Sequence, residues 1–391
     1  MWMLKLLLLY SQSFGEAGNV LGQRYEKGPK VRKIRDVLDK STTILNFWSS
    51  STPGYPRKPF YRQVRQSCGG CWYTNDRSIE KSASAILFDN TRFSIGNKHN
   101  DVKFWDPAFN LTLSYRLDSD IHRPFGNTIT SAKFLRFDHG RRLKPLDRMF
   151  SDLLALKTAK KHTAWLVSNC DRTNGASKRM EYADQMMNSG LSLDGFGECF
   201  NNTLTGSPWT HGSDIGPIAK YKFYLAFENS VHCNDYISEK FWRNALANGA
   251  VPIVFGPHRD DVAKIAPVKS YIHTEDFDSP AHLVDYLDYL DGNDTAYMEY
   301  HAWRADVSPA KLQEKNSIDH LGNYDQMMCN LCKTINERKS AGFPKKTIPS
   351  VAHWWWMEVH DEKCTADFEV PVWLRTMDTD TNHKSVRRHL L

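Results

Sequence analysis

Tyr236, Glu239 and Lys240 bring a phenol, a carboxylate and an ammonium together just ahead of an apolar helical stripe. A cation near a helix start, beside backbone N–H groups without intrahelical partners, is suited to binding phosphate. Glu-Lys neighbours are common on solvated surfaces, so the surrounding pattern has to give this group its meaning. A second chemical feature is the pair Cys68-Gly-Gly-Cys71 and Cys329-Asn-Leu-Cys332. That spacing fits a four-cysteine zinc site or disulfides, and the residues alone leave both open.

The elements that would position the first group run from Tyr221 to Pro257. Lys222–Phe227 alternates and is rich in aromatics, as a strand requires. Ser238 is placed to cap the helix that follows, in which Phe241, Trp242, Ala245 and Leu246 form one apolar face. Gly249 ends that helix, and Val251–Phe255 is a short buried-strand run closed by Gly256-Pro257. Strand, loop, helix and strand in that order make one α/β crossover. The polar group then falls beyond the C-terminal end of the first strand, where open α/β sheets bind ligands. Tyr224, Phe227 and Trp242 are expected in the core. A further helix is marked by Pro280 at its start, Leu283, Tyr286, Leu287 and Leu290 on one stripe, and Gly292 at its end.

At 391 residues the chain is long enough for two domains, each with its own core. With 41% apolar and 25% charged residues it has the composition of an ordinary soluble globular protein. The net charge of +6 shows no basic clustering beyond Arg141-Arg142 and the tail Lys384-Ser-Val-Arg387-Arg388, which argues against a nucleic-acid partner. Met1 to Phe14 hold an apolar stretch interrupted by Lys5. It is shorter than the ~20 residues that span a bilayer, and reads as a signal core or truncated anchor. Residues 15–40 read as a stem, 41–150 and 151–333 as two α/β domains, and 334–391 as a tail containing Trp354-Trp355-Trp356. Three N-x-S/T sequons, at Asn110, Asn201 and Asn293, favour secretion.

FYLAFENS (223–230), DYISEK (235–240) and VPIVFGP (251–257) closely resemble, in that order, the donor-binding signature of the α1,3-fucosyltransferases, glycosyltransferase family 10. FNLTLSYRLDSDI (109–121) with Pro124 and Gly126, AWLVSNC (164–170), DGFGEC (194–199), YIHTEDFDSP (271–280), YMEYHAWR (297–304) and the Cys329–Cys332 motif resemble further blocks of the family, so that the likeness covers residues 68–332. It implies a GT-B-like fold, two facing Rossmann-like domains with a donor and acceptor cleft between them. It also implies inverting transfer of L-fucose from GDP-fucose, in α1,3 linkage, to GlcNAc of glycoprotein glycans. By the family's pattern Lys240 takes the β-phosphate, Glu239 and Tyr236 hold the ribose and nucleoside, Arg179 supplies a second phosphate cation, and Asn229 orders the site. Asp118-Ser-Asp120 has D-x-D spacing, but the same letters belong to the family's acceptor block. They are read as structural, and no metal is expected to be obligatory, manganese being at most stimulatory. The resemblance ties Cys68 and Cys71 to Cys329 and Cys332 by disulfides and leaves Cys170, Cys199, Cys233 and Cys364 unassigned. It implies a type II Golgi protein with a lumenal catalytic region, held to the Golgi membrane through its N-terminus where an anchor is intact.

The family's base is a Glu in an E-S-P-like motif, on a strand before the FNLTL block. This sequence has no Glu between Glu80 and Glu181, and Asp101 and Asp106 are the candidates that stand nearest, with Asp89 more distant. Loss of a general base costs ~10²–10⁴-fold in rate and leaves donor binding intact. The alternative is therefore a weak or inactive fucosyltransferase-like protein that binds GDP-fucose or glycan without turnover. A different nucleotide-sugar transferase on the same architecture is a third reading. The acceptor, N-glycan core or lactosamine, stays open.

Overall fold

Parallel strands dominate the chain and collect into two sheets, one in each of two structural units. A computed structural model describes residues 4–8, 38, 41–47, 60–79, 82–89, 109–133, 136–138, 142–170, 174–204, 216–313, 322–342, 346 and 348. The first unit comprises residues 1–123 with 323–357, and the second residues 124–322 with 358–391. The expected domain boundary near residue 150 therefore moves to 123, because Ala132, Phe137 and Leu153 pack in the cores of the second unit. The expected boundary at 333 moves because the helix Gly322–Ser340 buries Met327, Met328, Leu331, Cys332 and Ile335 against strands of the first.

The first unit has seven strands: β1 (Leu4–Leu8), β2 (Thr43–Phe47), β3 (Tyr61–Gln63), β4 (Trp72–Thr74), β5 (Ala85–Asp89), β6 (Leu111–Ser114) and β7 (Ile121–His122). Their order is β3-β4-β2-β5-β1-β6-β7, parallel throughout except for the β3–β4 pair. β1 lies between β5 and β6, with Leu4 opposite Ala85 and Leu6 opposite Leu111. Leu4–Leu8, within the stretch read as a signal core or truncated anchor, is thus an interior sheet strand. A strand inside a parallel sheet needs a continuous apolar run, the same run that marks a short signal core. Without β1 the sheet would divide between β5 and β6. Among the described residues no helix is long and apolar enough to cross a membrane.

Disulfides Cys68–Cys329 and Cys71–Cys332 each span 261 residues and fix the helix Gly322–Ser340 to this unit. Cross-links over such distances remove much of the freedom of the unfolded chain. With the sulfurs bonded to one another, the zinc alternative falls away. Asp118 and Asp120 are engaged in structure. Asp118 takes two bonds from the Arg116 guanidinium, at 2.8 and 2.6 Å. Asp120 accepts from the Thr112 N–H and hydroxyl, at 2.9 and 3.1 Å, and pairs with Lys346.

A two-stranded ribbon, β8 (Phe137–Asp138) with β9 (Arg142–Leu143), opens the second unit. Its main sheet comprises β10 (Thr163–Leu166), β11 (Leu193–Phe196), β12 (Phe223–Phe227), β13 (Val251–Phe255) and β14 (Ile272–His273). The order β11-β10-β12-β13-β14 is all parallel, so the winding reverses between β10 and β12. Side chains alternate across β12: Phe223, Leu225 and Phe227 enter one core, while Tyr224 and Ala226 enter the other. The first core is covered by Met180, Ala183 and Met186 of the helix Asn174–Asn188 and by Leu283, Leu287 and Leu290 of Pro280–Gly292. Phe241, Trp242, Ala245 and Leu246 cover the second.

At the amino ends of these strands two cations, the partly buried Lys157 and the fully buried Arg304, bind backbone. The Lys157 ammonium donates to the carbonyls of Ala219, Tyr221 and Gly249 at 3.0, 3.0 and 2.5 Å. Arg304 donates to Ser131 and Leu246 carbonyls, both at 2.6 Å, and its Nε faces His301 Nδ1 at 3.4 Å. Burial first, then Arg304 and Lys157, holds His301 well below the usual histidine range. Its folded pKa thus lies under its unfolded value of about 6.5, and the unfolded chain takes up the extra proton as pH falls. Stability from this site is complete above that value and is lost on acidification.

Thermal unfolding measured from pH 8 to pH 5 should show a midpoint that falls below about pH 6.5, with a shallower slope in His301→Phe. Leu6→Pro removes the N–H that an interior strand must donate, and leaves a carbonyl unpaired at about 1–3 kcal/mol. Deleting residues 1–14 should be more severe, with limited proteolysis opening the first unit. Unchanged denaturation by both variants would show that β1 is dispensable.

Candidate functional site

The site grows from the carboxyl end of β12, whose five residues are buried on both faces of the sheet. The chain then places Glu228, 1% exposed, where the apolar run stops. A carboxylate in such surroundings must be paired and hydrogen-bonded. Its Oε1 accepts the Ser238 N–H at 2.7 Å, and its Oε2 accepts the Ser238 hydroxyl at 2.9 Å and the Lys240 ammonium at 2.8 Å. Lys240 Nζ also donates to Ser238 Oγ at 2.8 Å and lies 3.5 Å from Glu239 Oε1. Burial opposes its charge, but Glu228 and Glu239 outweigh it and hold the ammonium protonated far above the ordinary lysine range. Glu239 is held below the carboxylate range: burial alone would raise it, and Lys240, a backbone N–H and Arg243 reverse the sign.

Lys240 opens a wide, π-type turn, Lys240–Ala245, which continues into Leu246–Asn248 and stops at Gly249, φ +68°. This is the strand–loop–helix–strand unit expected from the sequence, with a looser helix. As a cap the Ser238 hydroxyl, which donates to Glu228, takes only a long 3.4 Å bond from the Lys240 N–H. The Tyr236 hydroxyl donates to Asn229 Oδ1 at 3.0 Å, and its ring meets Phe125 edge-on at 6.1 Å.

Arg179 reaches the same place from the helix Asn174–Asn188 and is 2% exposed. Its Nη1 donates to the Phe227 carbonyl at 2.8 Å and its Nη2 to the Asn169 carbonyl at 2.7 Å. Those carbonyls belong to the last residue of β12 and to the loop after β10, so the guanidinium bridges the two strand ends where the winding reverses. Ligands of open α/β sheets bind outside the carboxyl ends at that point. Burial lowers Arg179, and Glu228, Tyr236, Tyr224 and Glu239 act the other way, which puts all of them within electrostatic reach.

The structure therefore brings together Arg179, Asn229, Tyr236, Glu239 and Lys240. Tyr224, Phe227 and Trp242 are core residues, as expected. Asp101 and Asp106 lie outside the described residues. Sequence reasoning missed Glu228 and Arg243. A lone carboxylate closing a fully apolar strand was the available signal for Glu228. Arg243 sits four residues beyond Glu239 on the same turn. An ammonium has three donors, of which Glu228 and Ser238 take two; the third has only the longer 3.5 Å approach to Glu239 Oε1.

The family model described as glycosyltransferase family 10 (fucosyltransferase), C-terminal, matches residues 156–354. Similar curated proteins include 3-galactosyl-N-acetylglucosaminide 4-α-L-fucosyltransferase FUT3 of Bos taurus, 34% identical over 67% of this chain and 62% of its own. Another is 4-galactosyl-N-acetylglucosaminide 3-α-L-fucosyltransferase FUT6 of Pongo pygmaeus, 39% identical over 53% of this chain and 51% of its own. The chain thus spans between half and two thirds of the length of these relatives. A crystal structure of an α1,3-fucosyltransferase with GDP-fucose matches at a TM-score of 0.41 and 16% identity, over 89% of this chain and 92% of that one.

Glu228→Ala would remove the nearer of the two carboxylates paired with the buried Lys240 ammonium, a loss of up to roughly 3–5 kcal/mol. Glu228→Gln, which keeps the shape and an acceptor oxygen, should lose clearly less. Urea unfolding of both variants tests this, and equal, small losses would mean the pair does not organise the loop.

Proposed function

The chain belongs to glycosyltransferase family 10, the fucosyltransferase family, and on that premise we propose that it transfers L-fucose from GDP-fucose, with inversion, in α1,3 linkage to GlcNAc of a glycoprotein glycan. The observation that carries this reading is the buried Lys240 ammonium, held by Glu228 and Ser238 at the end of β12, with Arg179 across the switch point. In the transfer the acceptor oxygen attacks the anomeric carbon and its proton passes to a base. The bond from that carbon to the diphosphate oxygen breaks, and GDP leaves with the electron pair. Lys240 and Arg179 neutralise the charge that develops on the phosphates, where fixed cations act most strongly. Glu239 and Tyr236 hold the ribose and nucleoside, and Asn229 fixes the Tyr236 hydroxyl. The bases we propose are Asp101 and Asp106. No metal is obligatory in this reading, which is supported by the commitment of Asp118 and Asp120 to Arg116, Thr112 and Lys346.

The proposed location is the Golgi lumen, an oxidising compartment suited to Cys68–Cys329, Cys71–Cys332 and Cys170–Cys199. A second reading, donor binding without turnover, is favoured by one observation. Among the described residues the strand that precedes β6 along the chain, where the family resemblance puts the base Glu, is Ala85–Asp89, which contains no Glu.

The test is to incubate the whole chain with GDP-fucose and paired lactosamine and N-glycan-core acceptors, and to seek one added deoxyhexose by mass spectrometry. Product should form with one acceptor class, and Lys240→Ala should reduce transfer by about 10²-fold or more and weaken GDP binding. Unchanged kinetics in Lys240→Ala would overturn the site. GDP binding without product from either acceptor would favour the second reading.

A further inference from the structure

The Arg179 guanidinium is aimed by carbonyl groups, and one of them is held by a disulfide. Residues 167–170 leave the end of β10, and residues 197–200 leave the end of β11. Three connections join these loops. The Cys199 N–H donates to the Val167 carbonyl at 3.2 Å, and the Glu198 N–H donates to Ser168 Oγ at 3.2 Å. Cys170 and Cys199 form a disulfide, closing a separation of 29 residues. The approach is close enough to dictate a residue type: a Cβ on Gly197, φ +96°, would lie 2.3 Å from the Val167 carbonyl oxygen. Asn169 stands between Ser168 and Cys170, so both of its neighbours are tied to the second loop. Its carbonyl accepts Arg179 Nη2 at 2.7 Å.

We infer that the Cys170–Cys199 disulfide is a positioning element for diphosphate binding, acting through the Asn169 carbonyl on the Arg179 guanidinium. The other assigned disulfides, Cys68–Cys329 and Cys71–Cys332, belong to the first unit and fasten its helix. Cys170–Cys199 instead ties together the ends of adjacent strands beside the switch point. Its loss leaves the loops joined only by the hydrogen bonds at Val167 and Ser168, so the Asn169 carbonyl that Arg179 uses is no longer held from its Cys170 side. The inference rests on the reading of this site as a GDP-sugar site.

A double-mutant cycle on the full chain separates the two. GDP affinity is measured by titration calorimetry for the wild type, for Arg179→Met, for Cys170→Ala with Cys199→Ala, and for the combined variant. Arg179→Met should weaken GDP binding by roughly ten- to a hundredfold, as for loss of a hydrogen bond to a charged group. The cysteine pair should weaken it by roughly three- to tenfold, within the range for coupled neighbours. Its donor KM should rise more than its acceptor KM. In the Arg179→Met background, removing the cysteines should cost no further GDP affinity. Ser168→Ala removes one connection and leaves the disulfide; it should show the same dependence on Arg179, and it decides the matter where the cysteine variant fails to fold. Additive losses in the cycle would overturn the positioning role alone. A folded wild type that binds no GDP would overturn the GDP-sugar reading and this inference with it.

Discussion

The buried pair of Glu228 and Lys240 is the constraint from which the second unit's site follows. A carboxylate 1% exposed at the end of a buried strand has to meet a cation and hydrogen-bond donors, since burying it without partners is costly. Those partners come from ten and twelve residues further along the chain, so the intervening loop has to return onto the strand it left. The return is tight. His232 and Asp235 adopt φ +52° and +58°, unusual for residues with a Cβ. They are held there by neighbours: the His232 N–H donates to the Gly256 carbonyl at 2.6 Å, and the Asp235 N–H to Asp261 Oδ2 at 3.0 Å. Gly256, φ +113°, lets the loop approach, since a Cβ there would stand 2.7 Å from the Ser230 carbonyl oxygen. Local strain is thus distributed over backbone bonds around one ion pair, and the pair fixes where Tyr236 and Glu239 end up.

The first unit is organised by the opposite logic, with its parts drawn from distant sequence. β1 comes from the chain's first residues, the covering helix from residues 322–340, and the disulfides each join positions 261 residues apart. Closing loops of that length is entropically expensive before any contact rewards it. Covalent ties offset part of that penalty by restricting the unfolded chain. The second unit needs less help, because β10 through β14 follow one another and each crossover is local.

This difference explains what could be read from the sequence. In the run 221–257 every signal is local: alternation in β12, an apolar stripe at helical spacing, Gly249 as a stop, and an apolar run in β13. The crossover and the grouping of Tyr236, Glu239 and Lys240 were therefore legible. The helix Pro280–Gly292 was legible for the same reason, with Ser279 accepting the His282 N–H as its cap. What could not be read was non-local. Nothing in Leu4–Leu8 by itself distinguishes a strand between β5 and β6 from a short signal core, because both are continuous apolar runs. The domain boundary was missed because the segment after Arg123 carries its apolar residues into the other unit's core. Glu228 was overlooked because its importance comes from Ser238 and Lys240 folding back onto it, which no period in the sequence encodes.

The charges gathered around Lys240 show what the arrangement favours. Arg179, Lys240 and Arg243 act on, or are acted on by, Glu228 and Glu239, three cations against two carboxylates. Glu228 and Glu239 stabilise Lys240 enough to reverse the effect of its burial, whereas they only partly offset the burial of Arg179. The surplus of positive charge therefore resides mainly on Arg179, whose hydrogen bonds go to neutral carbonyls rather than to a carboxylate. A carbonyl satisfies the geometry of an N–H group but leaves the charge of the guanidinium uncompensated. An anion arriving outside the ends of β10 and β12 would complete that compensation. A diphosphate can do so while also meeting the remaining N–H of Lys240, since its oxygens are distributed over two phosphorus centres. In the proposed transfer the two cations would then contribute unequally: Lys240, already paired with its own carboxylates, adds mainly a directed N–H, and Arg179 adds most of the uncompensated charge.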